Sequence, residues 1–517
     1  MVAAVLPKEA RAWRAVSLGL VAAKLAVHLS VLGRWDYHRD EFYFVMCARR
    51  LAAGYVDHPP MIAWLTALVG APFGYDLRAL RVVPALAAAV TMALTCLLVR
   101  ALGGGARAAL LAGACVLVGP VFLRSGSLLC IPALEPALWS GAALVVVKLS
   151  RGGSPRLWLV LGAVVGAGLL TKHSMGLWAL GLATGVLFTP LRAALRTRWP
   201  WLGLALAALL FAPNVWWQMQ HDFATVEFLR TMSTSVLSKV PRWLFLAGIA
   251  LYLNPLTIPV WGAGLLAALR PPDRALGVTF LLTLGVLLLT HAKPYYIAGA
   301  FPALFAAGGV AIERWSRASR PSLPAYAAVG LLVTAPPLAL VALPIVAVDA
   351  VDRGLEPVVG FATAPMNLTG ELHDQHGWRE HAAAVTRAAR TLSDEDRARA
   401  VVLAANYGQA GAIEVLARGA ARAIEAPGVV PPVASGHMNY HLWGLPAGRG
   451  DVAIAIGFEA SELGALFADV REVTRSVDAP LAWPRERALP VFICREPTRP
   501  LRDAWPDLRR YHHVGLL

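Results

Sequence analysis

The chain has 517 residues, of which 57% are hydrophobic and only 15% charged. A soluble protein of this size carries nearer a quarter charged residues, so the composition excludes a soluble class and points to a polytopic membrane protein. The formal net charge of +15 does not signal nucleic acid, because the basic residues fall in alternate loops between apolar runs, as the positive-inside rule requires.

Eleven runs have the length of a bilayer crossing, about 17–25 residues. They lie near 13–33, 79–99, 107–124, 132–150, 156–171, 174–190, 199–217, 243–267, 275–291, 294–312 and 324–349. The predicted fold is a polytopic α-helical membrane protein with about 11 transmembrane helices, interfacial helices in the first outer loop and a C-terminal soluble α/β domain. Lys8, Arg11 and Arg14 before the first run place the N-terminus in the cytoplasm. The first run lacks a small-residue cleavage site and reads as a retained span. The expected location is the bacterial inner membrane, with the C-terminal domain outside. The five cysteines are scattered and form neither a zinc spacing nor a disulfide framework.

Residues 33–78 form the first outer loop. Phe42 to Ala53 and Met61 to Val69 have helical apolar spacing and predict short amphipathic helices in the interface, divided by Pro59-Pro60. Arg34, Arg39, Arg49, Arg50, Arg78 and Arg81 sit in this outer region against the positive-inside rule. A second outer segment, Gln218 to Arg242, is polar and aromatic. The chain divides near residue 350 into a transmembrane part, 1–350, and an extracytoplasmic part, 351–517. In the second part Ala400 to Ala405, Val452 to Gly457 and Leu489 to Cys494 read as strands; Tyr407 to Arg418 and Ala460 to Ala468 read as helices.

The first loop holds the densest chemistry. Asp40-Glu41 follows the first span within a few residues, where an ionisable group withdrawn from water costs on the order of 2.5–3.5 kcal/mol at membrane depth. Adjacent carboxylates cannot share one helical face. The pair is either a solvated cap on a helix beginning near Phe42, or Asp40 is a general base held by the neighbouring arginines. In Asp57-His58-Pro59-Pro60 two prolines fix the backbone around an acid and a histidine. Lys172-His173 and Lys293-Pro294-Tyr295-Tyr296 lie at outer span ends, where two lysines beside loop arginines suit a phosphate. Glu135, between prolines at the start of the fourth run, is a candidate metal ligand, which leaves room for a divalent cation, or a partner for an arginine.

An outer loop with Asp40-Glu41 and then Gly54-Tyr-Val-Asp57-His58-Pro-Pro60 resembles the polyprenyl-phosphate-dependent glycosyltransferases of the C-type fold. That group includes the protein O-mannosyltransferases and the lipid A aminoarabinose transferase. Arg81 in Leu80-Arg-Val-Val-Pro84, Glu135-Pro136, Thr171-Lys172-His173, Pro213-Asn214 and Lys293-Pro-Tyr-Tyr296 add to the resemblance. So do Asn406-Tyr407-Gly408-Gln409-Ala410-Gly411-Ala412 and Ser435-Gly436-His437 to Gly444. The resemblance implies that Asp40 is the catalytic acidic residue of the outer loop and that Glu41, Asp57, His58 and Arg81 shape or support its site. The chain departs from the family pattern in having Glu135 where members carry aspartate, and Lys172-His173 where many have Lys-Tyr.

On this reading a polyprenyl-phosphate sugar is the donor, and a protein, lipid or glycan hydroxyl outside the membrane is the acceptor. The phosphate leaves as a stable anion, so one base suffices where glycoside hydrolysis needs two carboxylates. Asp40 takes the acceptor proton, Lys172, Arg81 and Lys293 neutralise the phosphate, and the anomeric carbon inverts. The rival class is a transporter or flippase for a polyprenyl-linked lipid. Transporters show internal repeats and broken helices, and the sequence shows neither.

Overall fold

The computed structural model describes residues 2–235, 241–359, 369–419 and 428–511. All eleven apolar runs are helical, and among the described residues five to eight spans are long and apolar enough to cross a bilayer. Five helices are long and apolar enough to cross a bilayer: Lys8–Leu29, Leu77–Ala101, Ile131–Ser150, Arg198–Gln220 and Pro294–Ser316. Three more spans arise if each bent pair counts as one: Ser174–Leu187 with Pro190–Arg196 (97°), Arg242–Leu253 with Pro255–Ala268 (90°), and Leu323–Val333 with Ala335–Ala342 (48°). The remaining runs give Ala106–Val118, Leu157–Thr171 and Arg274–Leu289, of 13, 15 and 16 residues. At about 1.5 Å per residue these fall short of a hydrocarbon core about 30 Å thick. The bent pairs also overturn the expectation that broken helices are absent. One bend is made at Asn254, held at φ 75° with its side chain accepting from Leu256 N.

The membrane part packs through small residues. Gly264 and Gly308 face each other across the contact between Ile258–Ala268 and Phe301–Ser316, where a Cβ on either would strike the other helix's backbone. A charge that the sequence did not flag lies inside this part. Lys24, fully buried on the first helix, donates to Val116 O at 3.2 Å and Phe122 O at 3.1 Å. Those carbonyls flank the break at Gly119-Pro120. The Pro120 nitrogen has no hydrogen to give Val116 O, and the lysine supplies one. His28, one turn on, bonds Ser127 at 3.0 Å.

The C-terminal part carries a five-stranded sheet. Its strands are β1 (Ala400–Ala404), β2 (Val433–Ala434), β3 (Val452–Ile456), β4 (Phe467–Arg475) and β5 (Pro490–Pro497), in the order β2-β1-β3-β5-β4. β1 pairs parallel with β2 and β3, and β5 pairs antiparallel with β3 and β4. The helix expected over 460–468 stops at Gly464, and Phe467 begins an edge strand instead. The helix from Tyr407 is α-helical to Ala412 and turns π-helical over Ile413–Ala417. Of the outer segment expected over 218–242, Ala224–Ser235 is helical, and residues 236–240 lie outside the described residues.

The first loop contains two helices, Arg39–Arg49 and Met61–Gly70. Neither Pro59 nor Pro60 ends the first, which stops ten residues earlier at Arg49; Pro60 starts only the second. Nor is the first an amphipathic interfacial helix: Glu41 through Ala48 are all buried. Phe42, Tyr43, Phe44 and Tyr55 share one apolar core with Trp378, Val385, Val402, Ile413 and Ile454, while the spans form a separate core. Gly408 and Gly411 let the helix Tyr407–Ala412 press onto Arg39–Arg49, since a Cβ on Gly411 would meet Phe42 Cβ at 2.8 Å.

Candidate active site

The helix Arg39–Arg49 starts early because His38 caps it. The His38 ring accepts from Asp40 N at 3.1 Å, and the Glu41 side chain reaches back to His38 N at 2.8 Å, which makes a capping box. Successive residues then point apart. Glu41 turns inward and is fully buried, as is Arg81. Arg81 Nε and Nη2 donate to Glu41 Oε1 and Oε2 at 2.9 and 2.8 Å, and Leu129 N adds a bond to Oε1 at 3.0 Å. Nη2 also reaches Asp36 O at 2.9 Å and Gln375 Oε1 at 3.2 Å, and Nη1 donates to Leu32 O at 3.4 Å and Trp35 O at 3.5 Å. Arg81 is therefore unavailable to a phosphate, which corrects its expected part in neutralising one. Its place in the second turn follows from Asp76, which caps the helix Leu77–Ala101 through Arg78 N and Ala79 N.

Asp40 faces the other way, with 33% of its side chain exposed. Tyr407 of the C-terminal part donates its hydroxyl to Asp40 Oδ1 at 2.7 Å. Arg39 Nε lies 3.7 Å from Oδ1, and His38 Nδ1 lies 3.9 Å from Oδ2. Burial works against the Arg39 charge, but Asp374, Tyr407 and Asp40 together push its pKa up. Asp374 is itself buried, and burial raises its pKa despite Arg39 at 3.3 Å and His38 at 3.8 Å. Tyr407 sits at the carboxyl end of β1, where Asn406 caps its helix by accepting from Gln409 N at 2.9 Å. Carboxyl ends of parallel strands are where α/β sheets present ligand-contacting residues. Burial, Asp40 and Asp57 push the Tyr407 phenol well up, so it stays a donor at neutral pH.

Behind this face lies the second acid. Tyr43 donates to Asp57 Oδ1 at 2.9 Å, and its ring lies 4.7 Å from that of Tyr407. Asp57 is 3.9 Å from His58 Nε2, and His58 Nδ1 bonds Pro59 O at 2.8 Å, which holds the ring against its own backbone. Burial raises the Asp57 pKa, against the pull of His58 and of the Tyr43 hydroxyl. Cys47, Tyr55 and Phe44 enclose the His58 ring, which is fully buried and walls the site from behind.

The lysine cluster is joined to Asp40 by the segment 126–134. Leu129 N bonds Glu41, and burial together with Glu371, Asp40 and Glu41 pushes the next residue's thiol, Cys130, well up. Glu135 follows and pairs with Lys172 Nζ at 2.8 Å, while Ser174 donates to its other oxygen. Its partner is thus a lysine and not an arginine. With both Glu135 oxygens taken, no group of three or more His, Cys, Asp or Glu that could hold a metal occurs among the described residues. Lys172 Nζ also stands 4.0 Å over the Tyr296 ring and 5.3 Å over that of Tyr295. Lys293, just before them, makes no ion pair among the described residues. His173 lies edge-on to Phe211 at 6.0 Å.

This geometry has relatives. Residues 57–217 match the dolichyl-phosphate-mannose-protein mannosyltransferase family. The whole architecture superposes on ArnT from Cupriavidus metallidurans bound to undecaprenyl phosphate, with a TM-score of 0.59 at 17% identity, covering 92% of this chain and 97% of that one. The chain has the C-type glycosyltransferase fold. The apo form of the same ArnT superposes on this C-type chain with a TM-score of 0.57 at 16% identity. The lipid A galacturonosyltransferase RgtD of Rhizobium johnstonii is 31% identical over 202 residues, 37% of this chain and 40% of that protein. The match therefore spans well under half of that relative's length. The family match covers Asp57, His58, Arg81, Glu135, Lys172 and His173 but begins after Asp40.

Sequence reasoning missed Tyr407 as a site residue. The segment containing it had been singled out, but the contact to Asp40 joins positions 367 residues apart. It also missed Glu371, whose carboxylate lies 3.9 Å from His38 Nε2.

Proposed function

We propose that the protein is an integral membrane glycosyltransferase that moves a sugar from a polyprenyl-phosphate donor to a hydroxyl of an extracytoplasmic lipid acceptor. The observation that carries this reading is the asymmetry of the acidic pair. Asp40 is a partly exposed carboxylate, while its neighbour Glu41 is fully buried with both oxygens hydrogen-bonded. In the reaction Asp40 accepts the acceptor's hydroxyl proton as the oxygen attacks the anomeric carbon. The bond from that carbon to the phosphate oxygen breaks on the opposite face. The polyprenyl phosphate leaves with the bonding electrons, and Asp40 passes its proton to water. The anomeric configuration inverts.

Lys172 and Lys293 are the cations assigned to the phosphate, with Tyr295 and Tyr296 beside them. Glu135 aims Lys172 and tempers its charge. Glu41 and Arg81 are positioning residues, and Asp57 and His58 shape the wall on which Tyr407 holds Asp40. The donor lipid follows from the likeness to ArnT solved with undecaprenyl phosphate, and the lipid acceptor from the likeness to RgtD. A galacturonic acid donor and a lipid A acceptor are therefore the first pair to try. The site faces outward if the basic loops lie in the cytoplasm.

The test uses detergent-purified protein, radiolabelled polyprenyl-phosphate sugars and lipid A, comparing wild type with Asp40→Asn. Label moving to acceptor in the wild type, and lost in a variant that still binds donor, supports the reading. Equal transfer by the variant removes Asp40 as base. A wild type that transfers no sugar yet moves the lipid between leaflets replaces the transferase with a flippase.

A further inference from the structure

A separate small cavity of about 260 Å³ opens on the C-terminal side of the first-loop helix, walled in part by Arg50, Glu414, Arg418, Tyr440 and Trp443. Tyr440 is 2% exposed, and its hydroxyl has no hydrogen-bond partner among the described residues. Buried hydroxyls are nearly always paired, so an orphan in a cavity wall marks where a ligand oxygen fits. Arg418 is neutralised by Glu414, with Nη1 3.1 Å from each carboxylate oxygen. Arg50 is not: it is exposed, makes no ion pair among the described residues, and rests its guanidinium 4.4 Å over the Trp443 ring. The cavity thus offers one uncompensated cation, one unused hydroxyl and an aromatic surface, a set that recognises a sugar ring bearing a negative charge.

Its place ties it to the reaction site. Asn439 begins the short helix Asn439–Trp443, and its side chain accepts from Val56 N at 2.9 Å, which anchors that helix to the loop that carries Asp57. The Trp443 ring lies 6.4 Å from that of Tyr43, which lies 4.7 Å from that of Tyr407, the residue bonded to Asp40. We propose that this cavity is an acceptor subsite that holds a phosphorylated or uronic sugar of the acceptor headgroup while another hydroxyl of that headgroup reaches Asp40. The inference rests on the transferase reading for its purpose, but not for the binding itself.

The test measures binding to the full-length protein in detergent by saturation-transfer NMR, with glucosamine 1-phosphate, galacturonate and galactose as probes. The first two separate a phosphate from a carboxylate as the recognised group, and galactose is the neutral control. At least one anionic sugar binds about fivefold or more tighter than galactose, and Arg50→Gln and Tyr440→Phe each weaken it about fivefold or more. Tyr440→Phe removes a hydroxyl that bonds nothing among the described residues, so loss of folding does not explain its effect. Asp40→Asn leaves this binding unchanged. Equal binding of galactose and both anionic sugars, or wild-type affinity in both cavity variants, overturns the proposal. Failure of transfer by the wild type counts against the transferase reading alone, because the binding is measured without it.

Discussion

Glu41 and Asp40 leave the same helical turn in different directions, one into a sealed pocket and the other onto a partly open face. On the Glu41 side every polar atom is spoken for: the carboxylate takes two bonds from Arg81, one from Leu129 N and one from His38 N. On the Asp40 side one oxygen takes a tyrosine hydroxyl and a third of the side chain stays in reach of solvent. A buried carboxylate whose two oxygens each accept two bonds is fixed in place, so it orders the loop and leaves no open face for a substrate proton. A base needs a path to the proton that it abstracts. The same comparison separates Arg81, enclosed, from Lys172, whose ammonium is shared between one carboxylate and two aromatic faces.

The largest expected effects break the comparison outright. Asp40→Asn lowers kcat by about 10²–10⁴-fold, the usual worth of a general base, with donor binding kept in a filter assay. Arg81→Met leaves Glu41 charged, buried and unpaired, and costs about 3–5 kcal/mol of stability. Its signature is a lower unfolding temperature in detergent, with any folded fraction showing near-normal donor affinity. Lys172→Gln raises KM for the donor about tenfold with a smaller change in kcat, read from initial rates at varied donor, because a charge-assisted bond to phosphate is lost. Tyr407→Phe costs about tenfold in kcat/KM, the lower end of the worth of a hydrogen bond to a charged group, here the Asp40 carboxylate.

The smallest effect is at Asp57, where the sign is informative. Burial raises its folded pKa above the unfolded value. The stability associated with it is therefore present at low pH and is lost as pH rises through the folded pKa. Asp57→Asn keeps an oxygen for the Tyr43 hydroxyl and cannot ionise. Its melting temperature should match wild type at the acid end and exceed it increasingly as pH climbs above the usual carboxylate range. The opposite trend would mean that His58 holds Asp57 ionised.

Composition alone gave the membrane class, and residue chemistry gave the acidic pair, because both depend on residue type and not on distant contacts. The count of eleven runs exceeds the five to eight candidate spans where length and continuity decide. Leu157–Thr171 stops because Lys172 takes extended backbone, and the run from 243 to 267 bends at Asn254, which no hydropathy window sees. The expected helix runs only two residues into the strand Phe467–Arg475, whose remainder has no strand signature because Asp469, Arg471, Glu472 and Arg475 on a half-exposed edge leave little apolar alternation. The opposed faces of Asp40 and Glu41 were legible from helical geometry, but their partners were not. Tyr407 and Gln375 come from a region more than 290 residues away, and only packing brings them to the first loop. Lys24 was passed over as one lysine in an apolar run, since its partners are backbone carbonyls, which leave no mark in a side-chain pattern.

The claim at the centre is that a single base drives direct displacement from the lipid phosphate. The anomeric configuration of the first product, set against that of the donor by proton NMR coupling constants, tests it most directly. The account predicts inversion in every product molecule. Retention would mean a glycosyl-enzyme intermediate and a nucleophilic, not basic, role for the outer-loop carboxylate.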